Sequence, residues 1–418
     1  MNPLKLILIV LTIFNISIHA QRDEALEVLN DLCADDMYGR GYVKFGHIKA
    51  AKYIQEYYKK VKLKSFKKGT YLQPFEVKAN TFPYDLEVSI NERILKEGED
   101  YILDPSSGSA NGKFKLEIVD NRSINDFISK LSYSKITKLK GRAIVLNSST
   151  INNVDTLKIF NDLKIGLSQL CPVLRINNDK FTWSVSKDAS EFPIIEIRDS
   201  MLQNADSISL KISNHFLNDI TTHNVIGKVN GKKNKTIIIS AHYDHLGMMG
   251  EAIFPGANDN ASGIAMLLSL AKYYSNKTPK YNMVFMAFGA EEAGILGSKY
   301  YVEHPYFDLS EIKFVVNLDI MGTGDEGITV VNGVQHKKQF KELSKINQDK
   351  NYLAKIKIRG RAANSDHYWF SQLGVPAFFI YTMGGIKAYH DVYDCSATLP
   401  LTEFNDLYQL LIDFVETF

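Results

Sequence analysis

The stretch "MVFMAFGAEEAGILGS", residues 283–298, sets an unbroken apolar run against two adjacent glutamates, Glu291 and Glu292, held between glycines. Six apolar residues without alternation read as a strand buried on both faces, and the residues after the glutamates take up helical spacing. Two carboxylates side by side at a strand end repel each other unless a cation or a proton-handling task uses them. The rest of the chain decides which.

The same unit recurs on either side. The apolar runs "KTIIIS", "NMVFMAF", "KFVVNLDI" and "VPAFFIY" alternate with the helical stretches "ASGIAMLLSLAKYY", "GILGSKYYVEH" and "KKQFKELSKINQ". The chain closes on the amphipathic "LTEFNDLYQLLIDFVETF". Buried strands alternating with helices predict an α/β fold: a largely parallel mixed sheet with helices on both faces.

Ligands of such sheets bind outside the carboxyl ends of the strands. The polar oddities fall at those ends. "IIISAHYDHLG" leaves its strand with His242 and Asp244, two apart and so on one face of an extended backbone. Asp259 stands in "GANDNASG" ahead of a helix, Glu291 and Glu292 in "GAEEAG", Asp319 in "VVNLDIMG" and His390 in "AYHDVYD". One such residue alone is more often a cap or a turn former. Gathered along one sheet edge they form a metal-ligand set whose imidazole–carboxylate mixture suits zinc. Three carboxylates against two divalent ions leave one positive charge, which a bound hydroxide neutralises. That balance describes a two-metal hydrolytic site with one shared carboxylate and ions roughly 3.5–4 Å apart. Adjacent glutamates point different ways, so one can bind metal while the other faces the water.

In this order, "SAHYDHLG", "GANDNASG", "GAEEAG", "NLDIMG", "NSDHYWF" and "YHDVYD" resemble the motifs of the co-catalytic zinc aminopeptidases of the M28 metallopeptidase family. The resemblance runs from about residue 221 to the end, and more loosely over "DLCADDMYGRGYVKFGHIKAAKYI". It implies a zinc-exopeptidase-like fold and two Zn2+ per chain. The first ion would be held by His242 and Asp319, the second by Glu292 and His390, with Asp259 bridging. It further implies Glu291 as general base toward a di-zinc-bound water, Asp244 as support for His242, and Tyr389 as polariser of the scissile carbonyl. The substrate implied is a peptide, cut at its N-terminal residue. Cys395 departs from the residue commonly found after Asp394.

Between the N-terminal helices and the sheet lies a different texture. Short β-like runs such as "YDLEVSI", "FKLEIV", "GRAIVLNS" and "FPIIEI" are broken by turn-rich punctuation such as "DPSSGSANG". Its position resembles the protease-associated-type insertion of many family members. It is expected to be β-rich, to lack metal ligands and to flank the cleft. The organisation expected is a signal peptide over 1–20, an N-terminal helical part of the peptidase domain over 21–80, the inserted domain over 81–218 and the di-zinc peptidase domain over 219–418.

"MNPLKLILIVLTIFNISIHA" supplies Lys5, an apolar core over 6–18 and Ala20, the pattern of export to a periplasmic or extracellular space. That core falls short of the roughly 20 residues that span a bilayer, so no stable membrane insertion is expected. A net charge of +2 over 418 residues, with one basic cluster at "YYKKVKLKSFKK", argues against nucleic acid as a partner. Composition does not address oligomeric state. Three cysteines, Cys33, Cys171 and Cys395, leave room for one bridge and one free thiol. Two other readings share the fold. A glutaminyl cyclase would carry tryptophans near the Glu pair and the late histidine, whereas Trp183 and Trp369 stand elsewhere in the sequence. A non-catalytic, receptor-like member would show a decayed ligand set, and here all five ligands and the base are present. A serine hydrolase lacks its G-x-S-x-G elbow.

Overall fold

The apolar runs form the middle of an eight-stranded mixed sheet. In the computed structural model, which describes residues 21–130, 139–149 and 151–418, its strands are β1 (Leu72–Thr81), β2 (His215–Val229), β3 (Lys233–His242), β4 (Tyr281–Phe288), β5 (Ile312–Asp319), β6 (Ile328–Val331), β7 (Ile356–Ile358) and β8 (Ala377–Thr382). Their order is β1-β2-β4-β3-β5-β8-β6-β7. The four middle strands β4, β3, β5 and β8 are mutually parallel, and β2 and β6 pair antiparallel with β4 and β8 at their two sides. The expected signal peptide, residues 1–20, lies outside the described residues.

Alternate strand residues feed two cores. Ile237, Ile239 and Phe285 pack with the helices Gly46–Lys60, Ser262–Ser275 and Phe404–Glu416 on one face. Ile238, Val284 and Met286 pack with Tyr301, Val302 and Phe370 on the other. Period-2 side-chain direction under helices on both faces explains why these runs show no polar alternation. The helix Ser262–Ser275 is itself buried almost all round, which is why its sequence is so apolar.

Between β1 and β2 the chain leaves this sheet. Thr81 pairs with His215, and the residues between them build a second eight-stranded sheet running from Glu87 to Ile212. Among the described residues, two α-helices accompany it, Ile124–Lys130 and Val154–Leu167. Asn153 caps the second by accepting a hydrogen bond from the Thr156 N–H at 2.9 Å. A hairpin of the peptidase part, Gly247–Met249 and Ala252–Phe254, pushes Met249 and Phe254 into the core of this second sheet beside Phe82 and Trp183. Two features differ from the sequence expectation. Residues 72–80, expected within a helical part, are strand, because Phe75, Val77 and Ala79 alternate inward against exposed Glu76 and Lys78. Residues 215–218, expected in the insertion, open β2. No helix among the described residues is long and apolar enough to cross a membrane.

Candidate metal centre

The register of the middle strands brings the candidate ligands together. His242 pairs with Phe288 and Asp319 with Tyr381, so β3, β4, β5 and β8 end level and release their loops into one cleft. His242 Nε2 lies 3.3 Å from Asp259 Oδ1 and 3.5 Å from Asp319 Oδ2. His390 Nε2 lies 3.0 Å from the other Asp259 oxygen and 3.5 Å from Glu292 Oε2. Asp259 thus faces both imidazoles, one with each oxygen. Ala290, Ile320 and His390 adopt φ values of 58°, 54° and 53° at this rim. Left-handed backbone costs a non-glycine residue about 1–2 kcal/mol, a strain that concentrates at functional sites.

The candidate ligands are held from behind. The Asn258 and Asp259 N–H groups donate to the Asp394 carboxylate at 2.8 and 3.1 Å. Ser365 donates to Asp319 Oδ2 at 3.3 Å and accepts from Asn317 Nδ2 at 2.8 Å. Asp244 accepts from the N–H groups of Glu291 and Glu292 at 3.0 and 3.2 Å, fixing the loop that carries the pair. Its carboxylate stands 4.0 Å from His242 Nδ1, whose nearer partner is the Asp244 backbone oxygen at 3.1 Å. β3 ends at His242, so the two side chains do not share a strand face as their spacing suggested. Tyr389 is 44% exposed, stacks on the His390 ring at 4.0 Å and lines the cleft with Glu291. The cleft, about 170 Å³, has Ile320, Phe379 and Tyr381 as its apolar wall. A larger cavity of about 290 Å³, lined by residues such as Tyr274, Lys277 and Tyr281, contains none of the candidate ligands.

The electrostatics suit a cation. Burial works against a protonated imidazole, yet Glu292 and Asp259 outweigh it and push His390 up to about 9. Burial pushes Glu292 up to about 7 and Glu291 well above the usual carboxylate range. Asp259 Oδ1 and Asp319 Oδ1 are buried with no hydrogen-bond partner. Divalent cations would neutralise the crowded carboxylates and occupy those oxygens, so the residues fit zinc.

Several contributors were not legible beforehand. His245 is buried and places Nδ1 2.8 Å from Glu292 Oε1. Arg40 is fully buried and donates to the carbonyls of Tyr243, Leu32, Pro255 and Gly256 at 2.5–3.0 Å, tying the N-terminal region to the Asp259 loop. Its neighbours must be glycines, because a Cβ on Gly39 or Gly41 would lie 2.4 Å from the Gly247 backbone. The inserted segment supplies none of the candidate ligands, but it touches one. Trp183 pairs with His390, and Lys180 meets Asp391 at 2.8 Å and the carbonyls of Lys387 and Tyr389 at 2.7 and 2.8 Å. Trp369 reaches the loop after the Glu pair by donating to Ile295 O at 3.0 Å. Both tryptophans therefore stand near the two loops in space though not in sequence, and neither lines the cleft. All three cysteines are free thiols.

The chain is thus an α/β protein whose candidate metal centre is built from loops at the carboxyl edge of the parallel middle of a mixed sheet. Residues 224–415 match the model of Peptidase family M28, and over that segment the chain is an M28 peptidase domain. The aminopeptidase YwaD of Bacillus subtilis is 32% identical over 164 residues, covering 37% of this chain and 34% of that protein. An aminopeptidase of Pseudomonas aeruginosa is 33% identical over 116 residues, 27% of this chain and 20% of that protein. The chain thus spans about a third or less of the length of these relatives. The solved structure of BSAP, a zinc aminopeptidase from Bacillus subtilis, is similar with a TM-score of 0.70 and 19% identity over 94% of both chains. A peptidase M28 precursor from Shewanella amazonensis gives 0.67 and 15% over 96% of this chain and 97% of that one. At those identities the likeness concerns the fold.

Proposed function

We propose that the protein is an exported zinc aminopeptidase that releases N-terminal residues from peptides, with an inserted sheet of the protease-associated type. The observation that carries this reading is the position of Asp259, which gives one oxygen to the His242–Asp319 side and the other to the Glu292–His390 side. His242, Asp259, Glu292, Asp319 and His390 would hold two zinc ions, which would supply Lewis acidity and lower the pKa of a bound water.

The remaining work falls to the chain's own groups. Glu291 lines the cleft with a carboxylate oxygen within 4.8 Å of ligand-type atoms of His242 and Glu292, and burial raises its proton affinity, which suits it to take a proton from the attacking water and return it to the leaving amine. The Tyr389 phenol, pushed by burial further above its ordinary value, stays protonated at the mouth and can donate to a developing oxyanion. Ile320, Phe379 and Tyr381 would receive the side chain of the terminal residue, and a cleft of about 170 Å³ suits one residue better than an extended segment.

The test is release of chromophore from aminoacyl chromogenic substrates. The expected result is activity that chelation abolishes and zinc restores, with N-acetylated substrates resistant. Zinc-loaded protein that leaves free-amino substrates intact, or cleaves acetylated ones equally well, would contradict the proposal.

A further inference from the structure

His245 is fully buried within the metal centre, yet the two-metal arrangement assigns it no task. Its Nδ1 lies 2.8 Å from Glu292 Oε1, while the other oxygen of that carboxylate faces His390 Nε2 at 3.5 Å. Glu292 is therefore gripped between two imidazoles, one on each oxygen. The rings of His245 and His390 meet edge to face, 5.6 Å apart. The ring of His245 also lies against the loop leading to Asp259: a Cβ on Gly256 would fall 2.3 Å from its Cδ2, so only glycine leaves room for it. Its Nε2 is buried without a partner. His245, Asp259 and Glu292 each place a ligand-type atom within 4.8 Å of the others.

A carboxylate oxygen at 2.8 Å requires a donor opposite it, which fixes the proton of a neutral ring on Nδ1. We propose that His245 is a positioning residue of the second metal subsite: Nδ1–H holds Glu292 Oε1 and turns Oε2 toward the position it shares with His390 and Asp259. A buried partner that orients a metal-binding carboxylate supports affinity without itself binding the ion. This inference rests on the two-zinc reading above.

The test titrates metal-free protein with zinc against a competing fluorescent chelator, for the wild type, His245→Asn and His245→Leu. The asparagine amide sits close to where Nδ1 lies and keeps the donor, whereas leucine fills the space without one. Wild type should take up two ions. His245→Leu should bind the second about 10–100-fold more weakly with the first unchanged, and His245→Asn should recover most of the loss. Equal second-site affinity in wild type and His245→Leu would overturn the inference, as would complete loss of the second ion in His245→Asn, the mark of a direct ligand. Should a variant fail to fold, histidine-selective ¹⁵N NMR of the zinc-loaded wild type decides: Nδ1 protonated supports the inference, and Nδ1 without a proton overturns it. A wild type that binds one ion only would instead sink the two-zinc reading.

Discussion

Trp183 and His390 meet as a two-point pair. The Trp183 N–H donates to the His390 carbonyl at 2.8 Å, and the Trp183 carbonyl accepts from His390 Nδ1 at 2.9 Å. With Nδ1–H held by that carbonyl, it is the Nε2 proton that a cation in the cleft would displace, leaving the Nε2 lone pair facing it. The inserted segment thus takes part in building the centre, beyond flanking it. Lys180 completes the grip on residues 387–391. Lys180→Ala should weaken the second zinc about tenfold and leave the first unchanged. A zinc titration checks this, and equal affinities would show that the His390 loop holds itself.

Arg40 satisfies at least four backbone carbonyls in a site without solvent. A lysine ammonium is a compact charge with three donors and cannot reproduce the planar fork. Arg40→Lys should cost about 3–5 kcal/mol, the range for disrupting a buried charged network. Chemical denaturation measures it, and a loss below about 1 kcal/mol would mean that the carbonyls find other partners.

The middle of the sheet was readable because its buried strands are mostly apolar runs, and the candidate ligands stood out because they lie at or just after the carboxyl ends of those runs. What could not be read crosses long sequence distances or uses backbone atoms. Arg40 meets carbonyls more than 200 residues away, and His390 meets Trp183 207 residues away. Neither contact leaves a pattern in the local sequence. His245 stood in plain view within "HYDHLG", but only the turn after β3 sends it toward Glu292. The same turn carries the Asp244 carboxylate to the N–H groups of the Glu pair. The strand over residues 72–81 was legible in its alternation, and the helices before it obscured that signal.

Zinc should stabilise the protein more as pH rises. Glu292 and His390 have folded-state values raised to about 7 and about 9, so between their ordinary values and these the folded chain binds more protons than the unfolded one. Metal-free stability from these two groups is therefore present at low pH and lost as pH climbs through that window. Zinc competes with the same protons. The rise in Tm on adding zinc should be larger at pH 8 than at pH 6, as calorimetry can read; a smaller rise at pH 8 would reverse the sign.

On the proposed reading Glu291 and Glu292, adjacent in sequence, have separate tasks. Zinc content and turnover measured together for Glu291→Gln and Glu292→Gln test it most directly. Glu291→Gln keeps the shape but cannot take a proton, so both zinc ions should stay while turnover falls by about 10²–10⁴-fold. Glu292→Gln exchanges an anionic ligand for a neutral amide, so one zinc should be lost or exchange readily, and excess zinc should restore part of the activity. Loss of zinc from Glu291→Gln with retention in Glu292→Gln would reverse the two roles.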